Sequence, residues 1–141
     1  MVSNNFVLFD SSIWAAYLNP LDSQHAKAEK VFNDAEQQSS VIILPEYIIL
    51  EVCTVLMIRT GKEAADAFLQ NIRDNRMISI LHSTPAILEG VMARFVERAD
   101  RHLSFVDVSL LLFSESYAVI TFDKKLATEI QSKFPANLES R

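Results

Sequence analysis

Four short apolar segments stand out along the chain, and each predicts a strand buried on both faces. Their residues are nearly all large and apolar rather than alternating with polar ones, which is typical of strands covered by helices on either side. The stretches between them are too long for hairpin turns and have room for one or two helices each. Parallel strands joined by helical crossovers follow from this pattern. The four segments are Phe6–Phe9, Val41–Leu44, Met77–Ile80 and Ala118–Thr121.

The connecting segments carry helix start and stop signals. Pro45 is suited to the first position of a helix, because its missing N–H needs no partner there, and Gly61 stands just past the end of the same apolar stretch. Thr84 followed by Pro85 opens another helix. Elsewhere apolar side chains recur at three- and four-residue spacing, which is typical of amphipathic helices. The predicted helices cover about 45–59, 62–75, 105–116 and 124–133, and the helix that opens at Thr84 and Pro85 carries apolar residues at least as far as Val96.

The length of 141 residues suits one domain, and no repeat, linker or low-complexity tract divides the chain. We therefore expect a single α/β domain over residues 1–141. Two glycines and one cysteine exclude glycine-rich phosphate loops, internal disulfides and Cys/His metal clusters. The single cysteine fits a reducing, cytoplasmic setting. No apolar stretch approaches the length of a membrane span, so we expect no membrane association. With a net charge of −5, any polyanion needs a local basic patch or bound cations.

Four acidic residues lie at positions that invite a functional explanation. Asp10 directly follows the first predicted strand and Asp123 the last, and ligands of open parallel sheets gather at the carboxyl ends of strands. Both also precede helices, so helix N-capping is an alternative for each. A capping box is the alternative for Asp107, because Ser104 lies three residues before it. Glu51 lies mid-helix among large apolar residues, where a salt bridge to an unidentified base is the alternative.

One shared site explains all four acids together. Converging carboxylates repel each other unless a hard divalent cation lies between them, and oxygen ligands suit Mg²⁺ or Mn²⁺. Such ions promote phosphodiester cleavage by activating water and stabilising the leaving oxygen. The sequence therefore predicts a Mg²⁺ or Mn²⁺ site with the ligands Asp10, Glu51, Asp107 and Asp123.

Four segments carry a resemblance to a known family: Val7–Trp14, Pro45–Val52, Leu103–Asp107 and Ile120–Leu126. Over nearly its whole length the chain resembles a PIN domain, and within that family a VapC-type toxin of a bacterial type II toxin–antitoxin pair. The resemblance implies a three-layer α/β/α fold with a central parallel sheet of four or five strands. It also implies a Mg²⁺- or Mn²⁺-dependent endoribonuclease that cleaves RNA, forms a homodimer and is silenced by an antitoxin in its active-site groove.

Position by position, the resemblance assigns catalytic roles to six residues. Ser12 and Thr121 match small hydroxyl positions, which assist metal-bound water or brace a carboxylate. In one respect the chain departs from the pattern: the family usually adds a fifth strand after the position of Ile130, whereas residues 131–141 show no strand run and contain Pro135. The family's acidic quartet corresponds to Asp10, Glu51, Asp107 and Asp123.

Basic residues supply candidate RNA contacts. Lys124 and Lys125 stand beside Asp123 and are candidates for binding phosphate. Three arginines recur at helical spacing and predict a stripe along one helix that is either a solvated face or an RNA contact. They are Arg94, Arg98 and Arg101.

Other functions remain as alternatives. A housekeeping RNA-processing nuclease of the same family and a catalytically inactive PIN-fold binding module share the predicted fold. Phosphoryl transfer through an aspartyl intermediate would need a second Asp at the position of Ser12. A metal-dependent adhesion site would need a second Ser where Trp14 stands, so the sequence disfavours both of these last two classes.

Overall fold

The computed structural model of the protein describes residues 5–133, and strands and helices alternate along this range. The strands are β1 (Phe6–Phe9), β2 (Val41–Pro45), β3 (Ile78–Leu81) and β4 (Ala118–Ile120). The helices are α1 (Ser11–Leu18), α2 (His25–Gln37), α3 (Glu46–Arg59), α4 (Lys62–Asp74), α5 (Pro85–Glu97), α6 (Phe105–Phe113) and α7 (Lys124–Lys133).

The strands form one parallel sheet in the order β3-β2-β1-β4. In the two central pairings, Val7 of β1 lies opposite Ile42 of β2 and Ala118 of β4. The chain moves outward from β1 to β3 and then crosses back to add β4 on the other side of β1. This reversal opens a crevice at the carboxyl ends of β1 and β4, which is where ligands of such sheets bind.

Helices cover both faces of the sheet. Contacts join α1 to α2 and α3, and α3 to α4, as one layer, whereas α5, α6 and α7 pack together as the other. Right-handed crossovers explain why the helices divide between the two faces. The connections from β1 to β2 and from β2 to β3 run in one direction along the sheet, and the connection from β3 to β4 runs in the opposite direction, so its helices lie on the opposite face. The predicted three-layer α/β/α fold is confirmed. No helix in the range 5–133 is long and apolar enough to span a membrane.

An aromatic cluster fixes the first helix against the sheet. The Trp14 ring lies edge-on to Phe32 and Phe68, with centroids 4.9 and 5.5 Å away, and Phe32 also contacts Phe9 of β1 at 4.9 Å. Only 3% of Trp14 is exposed, and its indole N–H has no hydrogen-bond partner among the described residues. Edge-on rings of this kind add to the stability given by burial alone, so the start of α1 is held firmly at the end of β1.

Several element ends differ from the predicted ones. Pro45 is the last residue of β2 and the N-cap of α3, so the helix begins one residue later than expected. Helix α6 ends at Phe113 rather than near 116. After Ile130, α7 continues to Lys133, and the rest of the segment for which a fifth strand was considered, 134–141, lies outside the described residues.

Candidate active site

The beginnings of several helices meet the carboxyl ends of the strands at the crevice. Helices α1 and α7 begin directly after β1 and β4, and α6 also begins at this edge because it runs back to the start of β4. Asp10 precedes α1, Asp107 lies in the first turn of α6, and Asp123 precedes α7. Helix N-termini carry partial positive charge, which favours carboxylates at these positions. Glu51 comes from farther along α3, and we refer to these four acids together as the acidic site.

Asp10 is the buried member of the acidic site, with 3% of its surface exposed. Its Oδ1 accepts a hydrogen bond from the backbone N–H of Ser11 at 2.6 Å. Its Oδ2 accepts from the hydroxyls of Thr121 at 2.6 Å and Ser12 at 3.2 Å. A buried carboxylate needs such donors when no base is near. Asp10 is therefore held in one orientation by both sides of the crevice.

Ser12 and Thr121 also bind the two sides of the crevice to each other. The Ser12 hydroxyl accepts from the backbone N–H of Phe122 at 3.1 Å, and that of Thr121 accepts from the N–H of Asp123 at 2.9 Å. Each hydroxyl thus donates to the Asp10 carboxylate and accepts from the backbone that follows β4. In the structure, Ser12 and Thr121 orient the Asp10 carboxylate. A direct part in catalysis stays a prediction for both residues.

Glu51 receives its hydrogen bond from a residue that sequence reasoning missed. The Ser11 hydroxyl donates to Oε1 of Glu51 at 2.5 Å. No ion pair to Glu51 is present among residues 5–133, so the salt bridge considered as an alternative finds no support. Burial raises the pKa of Glu51, and the negative charges of Asp10 and Asp107 raise it further, although the bond from Ser11 acts the other way. The sequence shows two adjacent serines after Asp10, and nothing in it tells which one faces α3.

Asp107 is half-buried and forms the expected capping box. Its Oδ2 accepts from the backbone N–H of Ser104 at 3.0 Å, while its own N–H donates to the Ser104 hydroxyl at 3.1 Å. Burial raises the pKa of Asp107, the hydrogen bonds from Ser104 lower it, and the charges of Asp10 and Asp123 raise it. Asp107 therefore lies near enough to Asp10 and Asp123 to be repelled by them, and it caps its helix as well.

Asp123 is exposed and caps α7. Its Oδ1 accepts from the backbone N–H groups of Lys125 and Leu126 at 2.9 and 3.2 Å. Asp10, Asp107 and Asp123 all cap helices, as the alternative explanations required. A carboxylate can cap its helix and still lie at the crevice with the other acids, because helix N-termini at the carboxyl edge of a parallel sheet point into the same crevice.

The donor set of the acidic site suits a hard cation. Glu51, Asp107 and Asp123 each use one carboxylate oxygen for the hydrogen bonds above, and the second oxygen of each accepts none from the described residues. Free carboxylate oxygens are the ligands that Mg²⁺ and Mn²⁺ prefer. As they stand, no three or more His, Cys, Asp or Glu side chains within 5–133 are close enough together to hold an ion.

The predicted basic residues divide into two groups. Lys124 and Lys125 are exposed at the start of α7, and neither forms an ion pair within the described range. The predicted arginine stripe is wrong, because α5 ends at Glu97 and Arg101 lies beyond it. The other two arginines are engaged in ion pairs: Arg94 with Glu115 at 2.6 Å, and Arg98 with Asp100 and Glu129, both at 2.8 Å.

Comparison with known proteins agrees with this fold and crevice. A family model described as PIN domain matches residues 7–128. The chain belongs to the PIN domain family. A similar solved structure is that of VapC20 from Mycobacterium tuberculosis, described as a sarcin–ricin loop cleaving toxin. The two chains are 26% identical with a TM-score of 0.74, over 87% of this chain and 94% of VapC20. No curated protein sequence matches. The resemblance of this PIN domain to VapC-type toxins is thereby confirmed.

Proposed function

We propose that this PIN domain is an endoribonuclease that uses Mg²⁺ or Mn²⁺ and acts as the toxin of a toxin–antitoxin pair. The observation that carries the proposal is the charge repulsion of Glu51 by Asp10 and Asp107, and of Asp107 by Asp10 and Asp123, with no ion pair to any of the four in the described range. Membership of the PIN family and the likeness to VapC20, described as a sarcin–ricin loop cleaving toxin, support the choice of substrate.

The side chains of the crevice would have different roles in the proposed reaction. Asp10, fixed by three donors, is the rigid ligand, and Glu51, Asp107 and Asp123 present the further oxygens. A divalent cation bound there would act as a Lewis acid on the phosphate and lower the pKa of a water molecule. Ser12 and Thr121 keep Asp10 oriented from both sides of the crevice. Lys124 and Lys125 lie outside the acids, where RNA phosphates would pass.

Burial makes the acidic site more selective for cations. Half-buried Glu51 and Asp107 interact through a medium of lower polarity than water, which strengthens both their mutual repulsion and their attraction to a positive ion. In the absence of metal, burial and then the repulsion between the acids raise the pKa of each, because protonation relieves both. A divalent ion removes the repulsion without a proton.

Two exposed apolar faces support the proposed protein partners. Exposed apolar patches on single domains commonly mark sites of protein association. We assign the homodimer to the α5 face, which has four exposed large apolar side chains against three on α3, and expect an antitoxin to cover the crevice. The α5 face consists of Leu88, Met92, Phe95 and Val96, and the α3 face consists of Leu50, Met57 and Ile58.

The test of the proposed function is incubation of the purified protein with labelled total RNA, in Mg²⁺, in Mn²⁺ and in EDTA. We expect discrete cleavage products with either ion and none in EDTA. Cleavage in EDTA would remove the cation from the proposal, and RNA binding without cleavage under any condition would favour an inactive binding module. Expression alone should slow bacterial growth, whereas harmless expression of an active enzyme would indicate a housekeeping nuclease.

The matched variant for this test is Asp107→Asn. The asparagine can still accept the N–H of Ser104, so the capping box survives, while a half-buried repelled charge is lost. We expect cleavage to fall by more than the roughly 10–100-fold typical of losing an outer-shell partner, with no loss of melting temperature. Cleavage at the wild-type rate by a folded Asp107→Asn protein would remove this residue from the mechanism.

A further inference from the structure

A hollow with basic walls lies beside the acidic site. It is formed between the loop that joins α5 to α6, residues 98–104, and the first two turns of α7, and its volume is about 380 Å³. Leu103 precedes the capping box of Asp107, and Lys124 follows Asp123, so the hollow adjoins two of the four acids. Its lining consists of His102, Leu103, Lys124, Lys125, Thr128 and Glu129.

The charge of the hollow is positive, although the chain as a whole carries −5. Lys124 and Lys125 form no ion pair within residues 5–133, whereas the acid in the lining, Glu129, is paired with Arg98 at 2.8 Å. Among the described residues, neither ammonium group around this concave surface has a counterion. No hydrogen bond within residues 5–133 uses these ammonium groups, so the described part of the fold leaves them available to a ligand.

The backbone N–H groups at the start of α7 are not available to bind an anion. Asp123 already accepts the N–H groups of Lys125 and Leu126, so the first turn of the helix is capped from within the chain. An anion in the hollow would instead meet the lysine side chains. The attraction is then of the point-charge kind that lysine offers to phosphate.

A third unpaired lysine lies on the opposite side of Asp123. The ammonium group of Lys27, on α2, lies 5.2 Å from the centre of the Phe122 ring, and Phe122 directly precedes Asp123. Lys27 makes no ion pair among the described residues. Because α2 and α7 belong to opposite helical layers, unpaired cations flank the crevice on both sides.

We propose that one RNA strand crosses the crevice at Asp123, with its phosphates bound by Lys124 and Lys125 in the hollow on one side and by Lys27 on the other. The inference rests on the proposed function, since that function places a phosphate at the acids. A strand held there extends its neighbouring phosphates toward both sets of lysines. The proposed function places a phosphodiester at the acids and gives no such place to a peptide carboxylate, so we take RNA rather than an acidic peptide as the occupant.

The experiment measures binding of a fluorescent single-stranded oligoribonucleotide by anisotropy in EDTA, over about 50–200 mM salt. Each single-strand phosphate contact contributes about 0.7 to the slope of log affinity against log salt. The double variant Lys124→Gln, Lys125→Gln should reduce the slope by about 1.4 and weaken binding about 10–30-fold at 0.1 M salt, and Lys27→Gln should reduce the slope by about 0.7.

The matched control is the double variant Arg59→Gln, Lys62→Gln. It removes the same net charge from the far end of α3 and the start of α4, about 12 Å along α3 from Glu51. We expect its RNA binding to stay within twofold of wild type. Equal losses in both double variants would mean that only bulk charge matters, and unchanged RNA binding by the lysine variants would likewise overturn the proposal.

Two further measurements separate this inference from its alternatives. Binding of poly-glutamate is measured with the same proteins, and a loss of that binding with RNA binding intact would assign the hollow to an acidic peptide instead. Cleavage by the wild-type protein in Mg²⁺ is measured independently. If the wild type cleaves RNA but the lysine variants bind RNA normally, the proposed path of the RNA strand is wrong and the proposed nuclease function is retained. If the wild type does not cleave RNA but the lysine variants lose RNA affinity, the proposed nuclease function is wrong and the proposed RNA-binding site is retained.

Discussion

Ser11 shows how much one hydroxyl contributes to the geometry of the acidic site. Its backbone N–H donates to Asp10 and its side chain donates to Glu51, so this residue joins the acid that follows β1 to the acid carried by α3. Glu51 has no other hydrogen bond from the described residues. Without Ser11, the long side chain of Glu51 would be free to rotate away from Asp10, and a cation would have to order it again.

Replacing Ser11 with Ala should therefore lower cleavage about 10–100-fold, as the loss of an outer-shell partner usually does. The backbone bond to Asp10 is kept, so the fold should be retained. Initial rates measured over a Mn²⁺ titration should show weaker apparent metal affinity, with partial recovery in Ser11→Thr. Thr54→Ala removes a hydroxyl that bonds only to the backbone of its own helix, and it should leave the rates unchanged. A wild-type Mn²⁺ dependence in Ser11→Ala would contradict this role.

Glu51 provides a prediction about stability. In EDTA near pH 7, Glu51→Gln should raise the melting temperature by about 1–4 °C, because it removes a half-buried charge repelled by Asp10 and Asp107 and keeps an acceptor for Ser11. Since the folded-state pKa is raised above the ordinary 4.5, the folded protein binds more protons than the unfolded one above that pH. The stability associated with Glu51 is then present at low pH and is lost as pH rises.

The difference in melting temperature between Glu51→Gln and wild type should consequently be near zero at about pH 4.5 and grow toward pH 7. Thermal unfolding followed at several pH values in EDTA measures it. A lower melting temperature for the variant at neutral pH would indicate that an attractive partner of Glu51 exists and that the repulsion argument is wrong.

Among single residues, the acids were easier to predict than their hydrogen-bond donors. Asp10 and Asp123 follow apolar runs, and Glu51 interrupts one, so each is conspicuous in the sequence. The donors are ordinary serines and threonines whose direction depends on how α1 meets α3. Ser11 and Ser12 are adjacent, yet one faces Glu51 and the other faces the end of β4.

At the scale of elements, the junction after β1 and the junction after β4 act as one unit. Thr121 donates to Asp10 and accepts from the N–H of Asp123, so it connects the two strand ends and the helices that follow them. This arrangement also explains why a buried carboxylate is tolerated at the edge of the sheet. The hydroxyls that hold Asp10 are themselves held by backbone N–H groups.

Replacing Thr121 with Val keeps the shape of the side chain but removes both hydrogen bonds. We expect the free energy of unfolding to fall by about 1–3 kcal/mol, because a buried charged group loses a donor and the N–H of Asp123 loses its acceptor. Denaturant unfolding monitored by circular dichroism measures the change. Thr121→Ser should recover most of it, and a Val variant as stable as wild type would mean that the junctions are held by other contacts.

Strands and helix starts were predictable because their signals are local. The apolar runs and the Thr84-Pro85 pair specify elements without reference to the rest of the chain, and the structure places elements at those positions. The predicted arginine stripe failed because the end of α5 could not be seen in its sequence. Arg98 leaves the helix to pair with Asp100 and with Glu129 of α7, a tertiary contact that no local pattern reveals.

At the scale of the whole molecule, the exposed apolar faces give a test of assembly. Val96 is 81% exposed on the α5 face, and a charge there would oppose pairing of two copies. Val96→Glu should therefore change the mass measured by light scattering from twice 15.9 kDa to 15.9 kDa. Ile58→Glu, at a residue 79% exposed on the α3 face, is the control that should remain dimeric. Dissociation by Ile58→Glu alone would assign the dimer to α3.

A parallel sheet with helical crossovers followed from the sequence because apolar runs separated by long segments leave few topologies, and the three-layer arrangement came from the resemblance to PIN domains. The position of β4 beside β1 was not specified in this way, since it depends on which edge of the sheet the last crossover reaches. That choice creates the crevice, and with it the neighbourhood of Asp10 and Thr121.

The burial of Trp14 also gives the molecule an internal fluorescent reporter. It is the single tryptophan of the chain, enclosed by Phe32 and Phe68 and without a hydrogen-bond partner for its indole among the described residues. Emission from so dry an environment should be strongly shifted toward the blue. A shift to longer wavelength would then signal that α1 has separated from the sheet, and with it the carboxylate of Asp10 that this helix helps to hold in place.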